Sequence, residues 1–283
     1  MALSKLSGDE KRILFTQLCN VLDPRLAVYL SSASHELREL TQALLPQLRA
    51  DHEAASALCR KMGLRSCKEL REAKEVDRRD KGLTSDDLAL LGKLGSVLPA
   101  LAKLVLYGSV VGPDGVQRLA EGLGAGALPE VTHLQLMYMH VGDAGASALA
   151  AALGRGALPR LKVLALVNAG IGVAGLVALA PALRRLPALE YLSLVGNPFG
   201  DEGLAALVAP PPPAGAPLLP KGGLTKLKTL NLSLTQITDA GCASLAAALD
   251  SGALPALEQH SLVGIPASAA AKAAVKEVLR RRV

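Results

Sequence analysis

Gly170-Ile171-Gly172-Val173-Ala174-Gly175 has the spacing of a loop whose backbone N–H groups cradle a pyrophosphate. A strand-like run precedes it, a helix-like run follows, and Glu190 lies about 20 residues on, where a ribose-binding acid would stand. The rest of the chain removes that reading. The same place recurs as VVGPDG, HVGDAG, PFGDEG and QITDAG, so these glycines belong to a repeat, serving a tight strand-to-helix turn and close packing of layers. Other reactive groups are scattered. Cys19, Cys59, Cys67 and Cys242 lack zinc-ligand spacing, and no histidine stands near enough to complete a set. His35, His52, His133, His140 and His260 match no hydrolase or metalloprotease motif, and lone strand histidines such as His133 and His260 read as solvated or partner-facing. Asp86-Asp87 and Asp201-Glu202 fall at expected helix starts, where capping and the helix dipole explain them. The expectation is a protein without catalytic residues, metal or cofactor.

The element that organises these residues is the repeat. Leu98-Pro99, Leu128-Pro129, Leu158-Pro159, Leu186-Pro187 and Leu254-Pro255 open one shared block, and Leu224-Thr225 opens another copy. Successive starts are 30, 30, 28, 38 and 30 residues apart, the signature of a solenoid. Within the second copy, Val131, Leu134 and Leu136 have strand periodicity, while Leu149 and Leu153 are spaced for a helix. Each unit is expected to run strand, turn, helix, turn, and to bury its apolar face only against its neighbours. A leucine buried between layers contributes about 1.5–3 kcal/mol before entropy is counted.

This pattern resembles the ribonuclease-inhibitor class of leucine-rich repeats over about two thirds of the chain. The resemblance implies an α/β fold: a right-handed horseshoe with a parallel sheet on the concave side and helices on the convex side, preceded by an all-α region. The class usually places Asn or Cys two positions before the apolar residue preceding the glycine step. Here only Asn197 fits, with Ser109, Met139, Ala169, Thr235 and Ile265 at the other equivalent sites, so variation in curvature is expected.

The expected division is 1–69 helical and 70–283 repetitive. The second part comprises a polar capping repeat over 70–97, repeats over 98–253 and a closing cap over 254–283. In the first cap Ala73, Val76 and Leu83 take strand positions, before a helix capped near Thr84 or Ser85. In the last, Ala267, Ala271, Val275 and Leu279 replace the usual apolar set. A proline-rich insertion over 209–223 stretches the fourth interval; the helix begun near Asp201 must stop by about Val208, and an extended spacer or a ligand for a proline-reading module follows. In the first region Asp9 to Leu22, His35 to Leu48 and Asp51 to Met62 have helical spacing, and Asp23-Pro24 marks a break.

Composition narrows the function classes. The chain is 50% hydrophobic yet 2% aromatic, with no tryptophan, as stacked layers of small aliphatic residues require. Mean hydropathy is +0.32, but no apolar run is long enough to span a membrane, and MALSKLSGDEKR does not read as a secretory signal. Net charge is +6, and Arg280, Arg281 and Arg282 end the last helix rather than forming a stripe along a phosphate backbone. No nucleic-acid partner and no membrane insertion are expected. Reduced thiols fit a cytoplasmic or nuclear protein.

Residues 6–45 carry a second likeness. Leu6, then Ile13, Phe15 and Leu18 on one helix, then Leu22-Asp23-Pro24 followed by Leu26 and Leu30, resemble an F-box. That resemblance implies an adaptor of a cullin-type ubiquitin ligase as a partner, held by Leu6, Ile13, Leu18, Leu22, Pro24 and Leu26, with the repeats holding substrate. The alternative is a helical cap on the horseshoe.

The leucine-rich-repeat likeness also places the alternate strand residues on the concave face. Val105, Tyr107, Gln135, Met137, Val163, Val167, Tyr191 and Val195, with Tyr138 beside them, form an apolar band suited to a protein partner whose identity the sequence does not give. The alternative is that the valines serve strand propensity or pack on the helical region. Three functions follow: a non-catalytic protein-binding module, an F-box-type substrate receptor, or a structural subunit of a larger assembly.

Overall fold

A computed structural model of the 283-residue chain describes residues 21–33, 35, 38, 42, 45–79, 82–108, 111, 114–208 and 223–282. Leu6, Ile13 and Leu18, most of the expected helix from Asp9 to Leu22, and 209–222 of the insertion lie outside the described residues. The chain forms two compact units. One comprises residues 1–73 with 97–100, the other residues 74–96 with 101–283.

In the first unit the described helices are α1 (Arg25–Ala33), α2 (Leu45–Lys61) and α3 (Cys67–Glu72). Sequence spacing separates a helix ending at Leu48 from one starting at Asp51; the structure joins them. Leu48-Arg49-Ala50-Asp51 contains no helix breaker, the Gln47 amide bonds the Asp51 carboxylate one turn on at 2.8 Å, and Leu48, Ala55, Leu58 and Cys59 form one buried face. His35, Arg38 and Gln42 are helical as expected, whereas Leu22 ends in a turn. Asp23-Pro24 stands directly before α1, where proline fits a helix start. Ser66 caps α3 by accepting the Glu69 N–H at 3.2 Å.

The second unit alternates strand and helix: β1 (Glu75–Arg79), α4 (Ser85–Leu94), β2 (Lys103–Tyr107), α5 (Gly115–Gly122), β3 (His133–Met137) and α6 (Gly142–Gly154). It continues with β4 (Val163–Val167), α7 (Val173–Arg185), β5 (Tyr191–Ser193), α8 (Asp201–Val208), β6 (Thr229–Asn231), α9 (Asp239–Asp250), β7 (Gln259–Ser261) and α10 (Ala269–Arg280). The strands form one open, all-parallel sheet in the order β1 to β7, each paired with the next copy of itself. This is a right-handed solenoid with its sheet on the concave side.

The strand register stacks identical leucines. Leu104, Leu134, Leu164, Leu192 and Leu230 stand side by side, each at most 2% exposed. No single repeat could enclose them, so the row is itself the reason for stacking. His260 continues this inward row opposite Leu230 and is half-buried, which corrects its expected solvated or partner-facing place. Odd-numbered neighbours of these leucines necessarily face the other side of the pleat.

Turn chemistry holds the layers at two levels. Asn197, fully buried, accepts the Ala169 and Ile171 N–H groups and donates to the carbonyls of Leu166, Leu194 and Val195. At the equivalent place in other repeats, Met139, Ala169 and Ile265 are buried and apolar, and Thr235 bonds only the Leu232 carbonyl, 2.8 Å away. Nearer the helices, a first-turn aspartate of one repeat caps the next. Asp143 accepts from Gly172 N–H at 2.7 Å, Asp201 from Thr238 N–H at 2.8 Å, and Asp239 from Ser268 N–H at 2.6 Å.

The end repeats follow the same rules. Thr84 and Asp87 form a reciprocal capping box at the start of α4, and Ser268 caps α10. Helix α8 stops at Val208, before the prolines. Arg184 donates to the Ala206 carbonyl at 2.5 Å, satisfying one of the groups this short helix leaves open.

Candidate functional site

Alternate strand residues form three rows on the concave face. The first contains Lys103, His133, Val163, Tyr191, Thr229 and Gln259 in register. The middle one contains Val105, Gln135, Ala165, Ser193 and Asn231, and the third begins Tyr107, Met137 and Val167. Tyr107, Gln135, Met137, Val163, Val167, Tyr191 and Val195 are all partly exposed. Val105 is not: at 2% exposure it lies beneath the surface, between Asp77 and Gln135 in the register. Ala165 and Ser193 in the same row are also buried, at 6% and 3%. Adjacent strands stand only about 4.8 Å apart, so larger flanking side chains close over the small middle ones. The accessible face is therefore mainly the two outer rows, with Gln135 and Asn231 partly exposed between them.

Beyond the third row the backbone turns left-handed at one repeated position. Tyr138 has φ 56°, Asn168 48° and Leu234 58°, while Gly108, Gly196 and Gly264 take the same place in the other repeats. A side chain in this conformation costs about 1–2 kcal/mol. Parallel pairing continued through the turn offsets that cost: Tyr138 N–H bonds Val167 O at 2.8 Å, Asn168 N–H bonds Val195 O at 2.8 Å, and Leu234 N–H bonds Val263 O at 2.8 Å. The geometry sets Tyr138 on the rim, 46% exposed, with its ring 4.9 Å from that of Tyr107 and tilted 42° to it. Leu234 and Val263, 58% and 70% exposed, carry the same rim toward the last repeat. Leu234 lies outside the band read from the sequence. Its position, equivalent to that of Tyr138 three repeats on, was the available signal.

The glycine motif at 170–175 holds no anion of its own accord. Its Gly172 N–H already faces the Asp143 carboxylate of the preceding repeat. A Cβ on Gly175 would stand 2.4 Å from the same carboxylate, so this glycine exists to let the capping acid approach. Gly241 does likewise: a Cβ there would lie 2.2 Å from Asp201 Oδ1. Among the described residues no three metal-ligating side chains converge, no catalytic arrangement is assembled, and no helix is long and apolar enough to cross a membrane.

The residues read as an adaptor surface divide. Leu22 is 4% exposed and Pro24 half-buried, while Leu26 on α1 is 43% exposed beside Val28 and Tyr29. The Arg25 guanidinium grips both Asp23 oxygens at 2.6 Å and holds that carboxyl down at about 2. Cys59 and Cys67 lie buried with sulfurs 3.9 Å apart, and burial, then the neighbouring thiol, pushes Cys59 up to about 12. Burial, then Lys276, lowers the His260 imidazole.

A stacked parallel sheet with one helix per layer and an open concave face defines a leucine-rich-repeat-type solenoid. In agreement, the family model described as leucine-rich repeat matches residues 129–150, 186–208 and 223–246. These spans cover β3 with most of α6, β5 with α8, and β6 with most of α9. No curated protein matches the chain.

Proposed function

We propose that the protein is a non-catalytic interaction module of the ribonuclease-inhibitor-like class that takes a protein partner on its concave face. The observation that carries this reading is the Tyr107–Tyr138 pair at the rim, continued by Met137 and Val167 in the same row, with Val163 and Tyr191 side by side in the first row. Aromatic and sulfur-bearing side chains on a partly desolvated surface are the groups that dominate interface energies. Clustered on the strands of a rigid sheet, they cost little side-chain entropy on docking. A cytosolic or nuclear setting, with Cys59, Cys67 and Cys242 kept as thiols, accords with their burial.

The test is a chain bearing Tyr107→Asp, Met137→Asp and Tyr191→Asp, with cooperative unfolding monitored alongside. It loses the partners that the unaltered chain captures. A milder pair, Tyr138→Ser with Tyr191→Ser, serves where the triple variant folds poorly. Retention of every partner by both folded variants rejects the reading.

The exposed apolar side chains of α1 favour a second reading, an F-box-type receptor whose adaptor contacts Leu26. Leu26→Asp then removes a co-purifying ligase adaptor. Absence of any such adaptor from the unaltered chain counts against it, and constant stoichiometry with fixed neighbours supports a structural subunit instead.

A further inference from the structure

The helical unit contains a cleft of about 910 Å³ between the start of α1, the second half of α2 and α3. Its rim is cationic. Arg25, Arg60, Arg65, Lys68 and Arg71 line it against the two carboxylates of Asp23 and Glu72. Those carboxylates do not neutralise the rim. Asp23 is held by both nitrogens of Arg25, and Glu72 reaches Lys68 only at 3.9 Å. Arg60, Arg65 and Arg71 are exposed, and none forms an ion pair among the described residues. Arg71 is near enough to help lower the Asp23 carboxyl, so it faces the same space. The apolar part of its floor is buried Leu22 with half-buried Pro24 and Ala100, beside the half-buried polar His52 and Ser56.

We propose that this cleft binds an acidic peptide segment, its Asp or Glu carboxylates forked by Arg60, Arg65 and Arg71 and an intervening aliphatic side chain seated on the Leu22–Pro24 floor. The guanidinium fork matches a carboxylate with two parallel hydrogen bonds, and three such forks, unpaired among the described residues, select for closely spaced acids. The alternatives fit less well. No Phe, Tyr or Trp among the described residues lines the cleft, so these residues offer bases no platform on which to stack. A lipid surface does not enter a recess, and a lone inorganic anion fills little of a volume at the upper end for a small-ligand pocket. Because the arginines are solvated, binding is salt-sensitive. The cleft belongs wholly to the helical unit, so binding there does not depend on what the repeats bind.

The probe is a fluorescein-labelled peptide, Gly-Glu-Leu-Glu-Glu-Leu-Glu-Gly, titrated with the full chain and read by anisotropy. Its counterpart has glutamine at each acid. The acidic peptide binds saturably and weakens as salt rises; the glutamine peptide does not bind. Arg60→Glu with Arg65→Glu lowers affinity about tenfold or more, since it replaces two attractive charges by two repulsive ones. Arg280→Glu with Arg281→Glu, at the far end of the chain, leaves affinity unchanged. Where the double reversal disturbs folding, Arg60→Gln with Arg65→Gln gives the same direction. The proposal is overturned by absence of saturable binding, by equal binding of the glutamine peptide, or by equal loss in the tail variant. It is overturned too if a single-stranded oligonucleotide or phosphatidylserine vesicles bind through Arg60 and Arg65 while the peptide does not.

Discussion

Asp201 and Thr238 are joined twice across 37 residues of sequence: the carboxylate accepts the Thr238 backbone N–H at 2.8 Å and its hydroxyl at 2.6 Å. The proline-rich insertion lies between them, yet the contact repeats what Asp143 and Gly172 make without any insertion. The solenoid register is thus carried by the layers and not by the length of the connection. Asp201→Ala removes a cap and destabilises by about 1–2 kcal/mol. Gly241→Ala forces a methyl against the same carboxylate and costs about 1–3 kcal/mol. Because both act on one contact, the double variant is less destabilised than the sum of the two, measurable by denaturant unfolding of all three.

Asn197→Ala produces a larger loss. It strands the N–H groups of Ala169 and Ile171 and the Leu166 carbonyl in a buried place, at about 1–3 kcal/mol for each unsatisfied group. A total above about 3 kcal/mol is expected from urea unfolding. Thr235→Ala, which loses one bond to the Leu232 carbonyl, falls well below it.

Much of this was legible in the chain, because a repeated leucine at a fixed interval specifies both a strand and its neighbour. The strands, the stop of α8 at Val208 and the capping helices follow from local patterns read repeat by repeat. Other features were hidden because they depend on tertiary crowding. Val105 has the alternation of a surface residue and is buried by its neighbours. The Leu-Pro signature gave no warning that Leu128, Leu158 and Leu254 adopt φ between 51° and 56°, since a left-handed leucine before proline contradicts local preference. Leu186 escapes this conformation because its repeat is shorter and it caps α7 directly, at φ −69°. The join of α2 through Leu48 and Asp51 was missed because two apolar stripes were read as two helices where one face served both.

His260 gives the account a pH signature. Its imidazole is lowered by burial, so the unfolded chain binds the proton more readily than the folded one. Stability contributed by the neutral ring is present above the unfolded value of about 6.5 and is lost as pH falls through the lower folded value. Thermal unfolding at pH 7.5 and 5.5, both about the range of histidine titration, shows a drop in Tm that His260→Gln reduces. An unchanged drop in that variant assigns the effect to other groups.

The thiols offer a separate check on packing. Cys59 and Cys242 are each 1% exposed, and Cys59 is pushed up to about 12, so little nucleophilic thiolate forms near neutrality. Both resist a bulky maleimide in the native chain and react after unfolding. Rapid native labelling of either, located by peptide mass, contradicts the buried placement.

The most direct test of the central claim is hydrogen–deuterium exchange of the chain with and without a partner it captures. Slowed exchange centred on peptides covering 133–138, 163–168 and 191–196, with the convex helices 142–154 and 173–185 unchanged, is the predicted result. Protection confined to those helices, with the strands and their rim unaffected, contradicts docking on the concave face.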